Sequence, residues 1–235
     1  MHKLDMPSWA TAVALDRRGK AHIYENLDPR KTALVVVDLQ NGFMDEEVAI
    51  AYVPTAVEIV PNVNKLAAAV RRTGGKVVWI KMAFDDATVA SWSEYFDMLT
   101  PAKRARALAN MAPGARGHAL YPTLEVKPED EIVDKHRFSA FVQGSSDLPE
   151  RLRARGYDTV LITGTVTNVC CESSARDAMM LNFKTIMVSD GNAARTDAEH
   201  NATLASFYSV FGDVMDTDYL IRCLEAGAQA RPAAA

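Results

Sequence analysis

The chain has too few cysteines to be held together by them. There are three in 235 residues, and two of these, Cys170 and Cys171, are adjacent. Adjacent cysteines are geometrically poor disulfide partners, and three at this spacing build neither a secreted disulfide scaffold nor a zinc site. A reducing compartment, the cytoplasm, is the expectation. No apolar run approaches the ~20 residues that span a bilayer, and the N-terminal MHKLDMPSWATAVALDRRGK lacks the apolar core of a signal peptide. Basic excess is also missing: 26 Lys and Arg stand against 30 Asp and Glu, a formal net charge of −4. Neither nucleic acid nor membrane is therefore an expected partner. What remains is ordinary for one globular α/β domain, with 49% hydrophobic and 24% charged residues. A chain of this length can bury ~70% of its unfolded surface without staples.

Short β-branched runs alternate with stretches of helical spacing. Thr32–Asp38 reads as a strand buried on both faces and ending in an acid. Val57–Arg72 puts Val60, Val63, Leu66, Ala67 and Val70 on one helical face and stops at Gly74-Gly75. Further strands are expected at Lys76–Ile80, Glu131–Val133, Thr159–Thr163, Lys184–Val188 and Val214–Met215. Helices are expected over Leu148–Arg155, Asn168–Leu181, Asp197–Phe211 and Asp218–Glu225. The alternation predicts a three-layer, doubly wound α/β domain over 32–228, with a six-stranded, mostly parallel sheet and helices on both faces. Two stretches break the pattern. Residues 1–31 read as an N-terminal extension that packs on the body or on a partner subunit. Residues 84–128 are too long for a plain connection; with Trp92, Tyr95, Phe96 and the basic helical stretch Ala102–Met111 they read as a lid or a subunit contact. The Ala-rich tail, 229–235, is expected to be flexible.

Sheets of this kind bind ligands at the carboxyl ends of their strands, which draws attention to three places. In Gly164–Ser174 (GTVTNVCCESS) a strand runs through a Gly-containing turn into a helix that starts with a cysteine. Free N–H groups and the helix dipole there stabilise a thiolate and can hold an oxyanion; a buried packing cysteine fits the position equally. Asp38 ends an apolar strand, where a carboxylate needs a partner, although capping the next turn through Gln40 or Asn41 is also a common use. Lys135 stands at a third strand end, in DKHRFSAF, where a solvated charge cluster is the plainer alternative. Together the three place an acid, a cation and a thiol on one sheet edge, as an activated-cysteine site requires.

Three segments, Ala33–Phe43 (ALVVVDLQNGF), Lys135–Phe141 (KHRFSAF) and Gly164–Ala178 (GTVTNVCCESSARDA), occur in the order and spacing of a known family. Across about residues 30–220 the chain resembles the isochorismatase-like cysteine hydrolases. The resemblance implies a six-stranded parallel sheet and a catalytic triad of Asp38, Lys135 and Cys170. It also implies a cis peptide at Thr165–Val166 and an oxyanion site made by the Val166 and Cys170 N–H groups. Cys171 then falls at a packing position. Isochorismatases proper lack the nucleophilic cysteine, so its presence implies C–N bond cleavage. Nicotinamidases of similar fold add metal-binding histidines, but Met44–Val60 and Lys81–Gly117 contain none, so neither metal nor other cofactor is expected. The pattern TNVC-ES-x-x-RD is similar to that of ureidoacrylate amidohydrolases, with hydrolases of N-carbamoyl compounds, biuret and triuret nearby.

The expected function is a metal-independent amidohydrolase of a small ureido or carbamoyl compound, working through a covalent thiol intermediate. A carboxamide hydrolase of the maleamate or nicotinamide type and a non-catalytic thiol-containing binding protein are the alternatives. Gln40, Asn41 and Phe43, just after the acid, are expected to meet substrate, as are Trp92 and Tyr95 of the insertion, Arg137 (facing a carboxylate) and Phe141. The aromatics suit core or interface as well, and Arg137 suits an exposed position. His136 is expected to be a loop hydrogen-bonder, and Arg176-Asp177 a structural ion pair or subunit contact. The family resemblance and the N-terminal extension suggest a homo-oligomer.

Overall fold

The computed structural model describes residues 1–230. At its centre lies β1 (Thr32–Val37), Thr-Ala-Leu-Val-Val-Val, in which every residue is buried, the pattern of a strand covered on both faces. It pairs in parallel with β2 (Lys76–Met82) on one side. Beyond β2 stands β3 (Glu131–Lys135), and on the other side come β4 (Thr159–Thr165), β5 (Lys184–Ala193) and β6 (Asp213–Met215). Among the described residues six parallel strands run in the order β3-β2-β1-β4-β5-β6. Strand order reverses between β1 and β4, and a ligand crevice opens at the carboxyl ends flanking such a reversal.

The helices cover both faces of this sheet. The first, α1 (Ser8–Arg18), lies in the N-terminal extension; α2 (Asn41–Met44) follows β1. The helix expected over Val57–Arg72 is two, α3 (Thr55–Glu58) and α4 (Val60–Arg72). Pro61 at the start of the second has no N–H to continue the ladder, which the apolar spacing alone could not register. The insertion supplies α5 (Asp86–Ser91), α6 (Ser93–Asp97) and α7 (Pro101–Met111). Asp85 caps the first of these and Thr100 the last. Then come α8 (Leu148–Ala154), α9 (Glu172–Met180), α10 (Asp197–Val210) with a Thr196/Glu199 capping box, and α11 (Thr217–Ala230). Gln229 and Ala230 complete α11, while the rest of the expected tail lies outside the described residues.

The extension and the insertion both fold onto the body of the same chain. α1 packs on α10, Arg18 donates to the Gly212 carbonyl (3.0 Å), and the buried Asp213 carboxylate accepts the Ile23 and Tyr24 N–H groups. The insertion seats Phe96 and Met111 in the core. Arg106 donates to the carbonyls of Glu46, Glu47 and Ala49, so α7 is fastened to the segment that follows β1.

Candidate active site

Asp38 follows the last residue of β1 with φ +54°, a left-handed conformation that Asp tolerates better than most side chains. Its own N–H still bonds the Ile80 carbonyl (3.0 Å), so the turn begins while the backbone is held by β2. Lys135, the last residue of β3, is in register with Met82. Its Nζ reaches past the end of β2 to lie 2.9 Å from Asp38 Oδ2, and it donates to the Arg137 carbonyl at 3.0 Å. Both side chains are wholly buried. Cys170, only 3% exposed, sits in a π-helical turn, Thr167–Cys171, between β4 and α9. Its thiol interacts with both Asp38 and Lys135. Three strand ends thus converge on one thiol at the order reversal.

Burial sets the protonation of this group. It raises the Asp38 carboxyl above its ordinary range, against the pull of the Lys135 ammonium. Burial lowers Lys135, but the charges of Asp38 and Cys170 more than offset this and leave it above normal. The Cys170 thiol is pushed well up, first by burial and then by Asp38, with Lys135 opposing. The thiol is therefore neutral at rest, beside a carboxyl group placed to exchange a proton with it and an ammonium fixed alongside.

The Thr165–Val166 peptide is cis, and the Val166 N–H has no acceptor among the described residues. The nucleophile turn is tied to α10: Thr167 Oγ1 lies 3.0 Å from His200 Nδ1. Cys171 is buried, with its thiol directed at the Thr163 carbonyl. Arg176 pairs with Glu172, one helical turn back, and not with its neighbour Asp177, because consecutive helical residues do not face one another.

A cavity of about 240 Å³ opens onto Cys170. Phe43 and Tyr95, both expected to meet substrate, line it with Phe84, Phe138 and Leu99. The other expected contacts lie outside its wall. Gln40 is buried, its amide donating to the Met82 and His118 carbonyls and accepting the Met82 N–H. Asn41 donates to the Arg116 carbonyl. Trp92 stacks on Tyr95 (4.4 Å between centroids) one layer out, and Arg137 lies over the Trp92 ring while donating to Ser91 and to the His136 carbonyl. Phe141 packs edge-on against Phe183. Phe84 and Phe138 are not among the expected contacts; the place of Phe138 in KHRFSAF, one residue beyond Arg137, is the signal the sequence carries for it. His136 bonds the Thr88 hydroxyl (2.7 Å). Among the described residues no three His, Cys, Asp or Glu side chains are grouped as metal ligands. His118, just past the histidine-free stretch, is buried against Lys81 and Asp134. No described helix is long and apolar enough to cross a membrane.

The model of the isochorismatase domain matches residues 32–219. The ureidoacrylate amidohydrolase RutB of Methylobacterium radiotolerans is 32% identical over 205 residues, covering 81% of this chain and 78% of that protein. The crystal structure of a cysteine hydrolase from Pseudomonas syringae pv. phaseolicola superposes with a TM-score of 0.77 at 29% identity, over 86% of this chain and 96% of that one. An N-carbamoylsarcosine amidase from Thermoplasma acidophilum gives 0.62 at 28% identity, over 80% and 97%.

Proposed function

The chain belongs to the isochorismatase family of hydrolases, and from that premise we propose that it is a cysteine-dependent, metal-independent amidohydrolase that cleaves a C–N bond of a small ureido or carbamoyl compound. The observation that carries this reading is the buried convergence of Asp38 and Lys135 on Cys170, which lines the cavity. The relatives named for ureidoacrylate and N-carbamoylsarcosine point the same way.

Asp38 takes the Cys170 proton, and the thiolate attacks the carbonyl carbon of the bound amide or ureide. The carbonyl oxygen, now an oxyanion, sits between the Val166 and Cys170 N–H groups; one such donor is typically worth ~3–4 kcal/mol. Asp38 returns its proton to the leaving nitrogen as the C–N bond breaks. Water then attacks the thioester or thiocarbamate with Asp38 again as base, and Cys170 is released as the thiol. Lys135 stays protonated throughout and holds the Asp38 carboxylate in place. No metal enters these steps: the fixed positive charge is the lysine's.

The test is ammonia release from a panel of ureides and amides. Cys170→Ser and Cys170→Ala are expected to remain folded and to lose activity roughly 10³-fold or more. Full activity in Cys170→Ala would overturn the mechanism. Mass spectrometry after one equivalent of iodoacetamide is expected to find Cys170, which lines the cavity, labelled in preference to Cys171, which does not.

A further inference from the structure

His2 belongs to the N-terminal extension, outside residues 32–219 that match the family domain, yet its side chain is only 3% exposed. Its ring stacks on that of His200, with 4.4 Å between centroids and 19° between planes. Both ring nitrogens of His2 are engaged. Nε2 accepts the Ala194 N–H at 2.9 Å, so the proton of the neutral ring is on Nδ1, which donates to Asp197 Oδ1 at 2.7 Å. Asn201, next to His200, accepts the Asp5 N–H and donates to the Lys3 carbonyl. The extension is thus seated on the first turns of α10 by specific polar contacts as well as by packing. His200 carries this seat inward. It is fully buried, and its other neighbours are the Ser189 backbone on β5 and Thr167, whose Oγ1 lies 3.0 Å from Nδ1. Burial and the adjacent His2 lower its pKa and keep the ring neutral. Thr167, also fully buried, opens the π-helical turn, and its hydroxyl has no other partner among the described residues. In the chain it stands between Val166 and Cys170, the two residues whose N–H groups receive the oxyanion in the mechanism above.

We propose that His2 and His200 are positioning residues for the reaction: the N-terminal extension, by stacking His2 on His200, holds Thr167 and with it the placement of the two oxyanion donors around Cys170. This deepens the amidohydrolase reading and rests on it. Without His2, one face of the His200 ring loses its cover and the ring gains room to turn. The Thr167 hydroxyl then loses its one partner, and a buried hydroxyl without a partner favours rearrangement of the turn that carries it. A misplacement of about 1 Å at groups that meet the reacting atoms costs roughly 10²-fold in rate. The donors meet negative charge only as it develops, so their displacement weakens the transition state more than the bound substrate and lowers kcat with little change in KM.

The experiment combines ammonia release from the ureide or amide of the panel that is turned over fastest with amide hydrogen exchange over residues 164–171. His2→Ala is expected to lower kcat roughly 10-fold or more, to leave KM within about twofold, and to speed exchange in the nucleophile turn. His2→Gln, whose amide can accept from Ala194 and donate to Asp197, is expected to recover most of the loss. Thr167→Val should reproduce the loss, and adding His2→Ala to it is expected to lower kcat no further. His22→Ala is the control: it loosens the other end of the extension by removing the contact with Asp213, and is expected to lower the thermal midpoint while leaving kcat unchanged. Equal losses of kcat in His22→Ala and His2→Ala overturn the inference, since the extension then acts through overall stability alone. Wild-type kcat in His2→Ala, or multiplicative losses in the double variant, overturn it too, and each leaves the amidohydrolase reading intact. If the wild type turns over no ureide or amide, that reading fails and hydrogen exchange alone decides the positioning role. Faster exchange over residues 164–171 in His2→Ala but not in His22→Ala supports it, and the same exchange in both variants overturns it.

Discussion

Burying a lysine and an aspartate together is costly unless each satisfies the other, and at Asp38 and Lys135 neither side chain reaches solvent. Removing one partner leaves the other as an uncompensated buried charge, a loss of typically 3–5 kcal/mol, whereas removing both charges costs far less. Lys135→Met and Asp38→Asn are each expected to destabilise the chain by about that amount in urea unfolding. The double variant should recover most of the loss while remaining inactive. Additive losses in the double variant would mean that the pair is not coupled. The roles of these residues were suggested by their positions at strand ends, because an acid closing an apolar run is visible in a sequence. The neighbours of Asp38 were less legible. Adjacency placed Gln40 and Asn41 at the substrate, but the left-handed turn at Asp38 carries them away from the cavity to tie down the backbone at Met82, His118 and Arg116. No periodicity reports a positive φ at a single aspartate.

The order of strands and helices was readable from the alternation of β-branched runs with apolar stripes, and the deviations sit at the functional ends of the elements. β3, β4 and β5 all run further than the apolar runs suggest, to Lys135, Thr165 and Ala193, because the added residues are mostly polar or glycine and carry no apolar signal. Gly164 is the sharpest case. With φ +121° and the Val37 backbone pressed against it, a Cβ would collide with the Val37 carbonyl, so β1 and β4 approach at the order reversal only with glycine there. Gly164→Ala is expected to cost roughly 4 kcal/mol or more and to lower soluble yield and thermal midpoint together; a near-normal midpoint would contradict that packing. The contact of α10 with the nucleophile turn gives a pH prediction. Burial, assisted by the neighbouring His2, lowers the His200 pKa to about 4. An unfolded histidine titrates near 6.5, so between these values the unfolded chain binds more protons and stability falls as pH drops from about 6.5 to 4. Its full contribution is about 3 kcal/mol. His200→Gln is expected to flatten this part of the stability–pH curve. Parallel wild-type and variant curves would show that His200 does not titrate in this way.

Across the whole molecule, the N-terminal extension is joined to the body through a partner that lies far along the sequence. Asp213 has no exposed side-chain surface, yet His22 lies 2.9 Å from its carboxylate and the Ile23 and Tyr24 N–H groups donate to it. The separation of about 190 residues explains why the local pattern left open whether residues 1–31 cover this chain or another. At the other end of the extension, His2 Nε2 accepts the Ala194 N–H at 2.9 Å, beside Arg195, so the same arm braces one wall of the cavity. Deleting residues 1–26 would strip Asp213 of these partners and leave its carboxylate with only the N–H of Val214. By the same reasoning as for the catalytic pair, that should cost about 3–5 kcal/mol, which for a domain of this size lowers the thermal midpoint by roughly 10 °C or more. The mechanism makes a further demand that simple loss of packing does not. Asp213→Asn should be damaging in the full chain, where it weakens an ionic contact, and much less so in the truncated one, where it relieves a buried charge. A double-mutant cycle of truncation and Asp213→Asn by urea unfolding measures that coupling. If the two changes are additive, the arm is held by its apolar contacts with α10, and Asp213 does not anchor it.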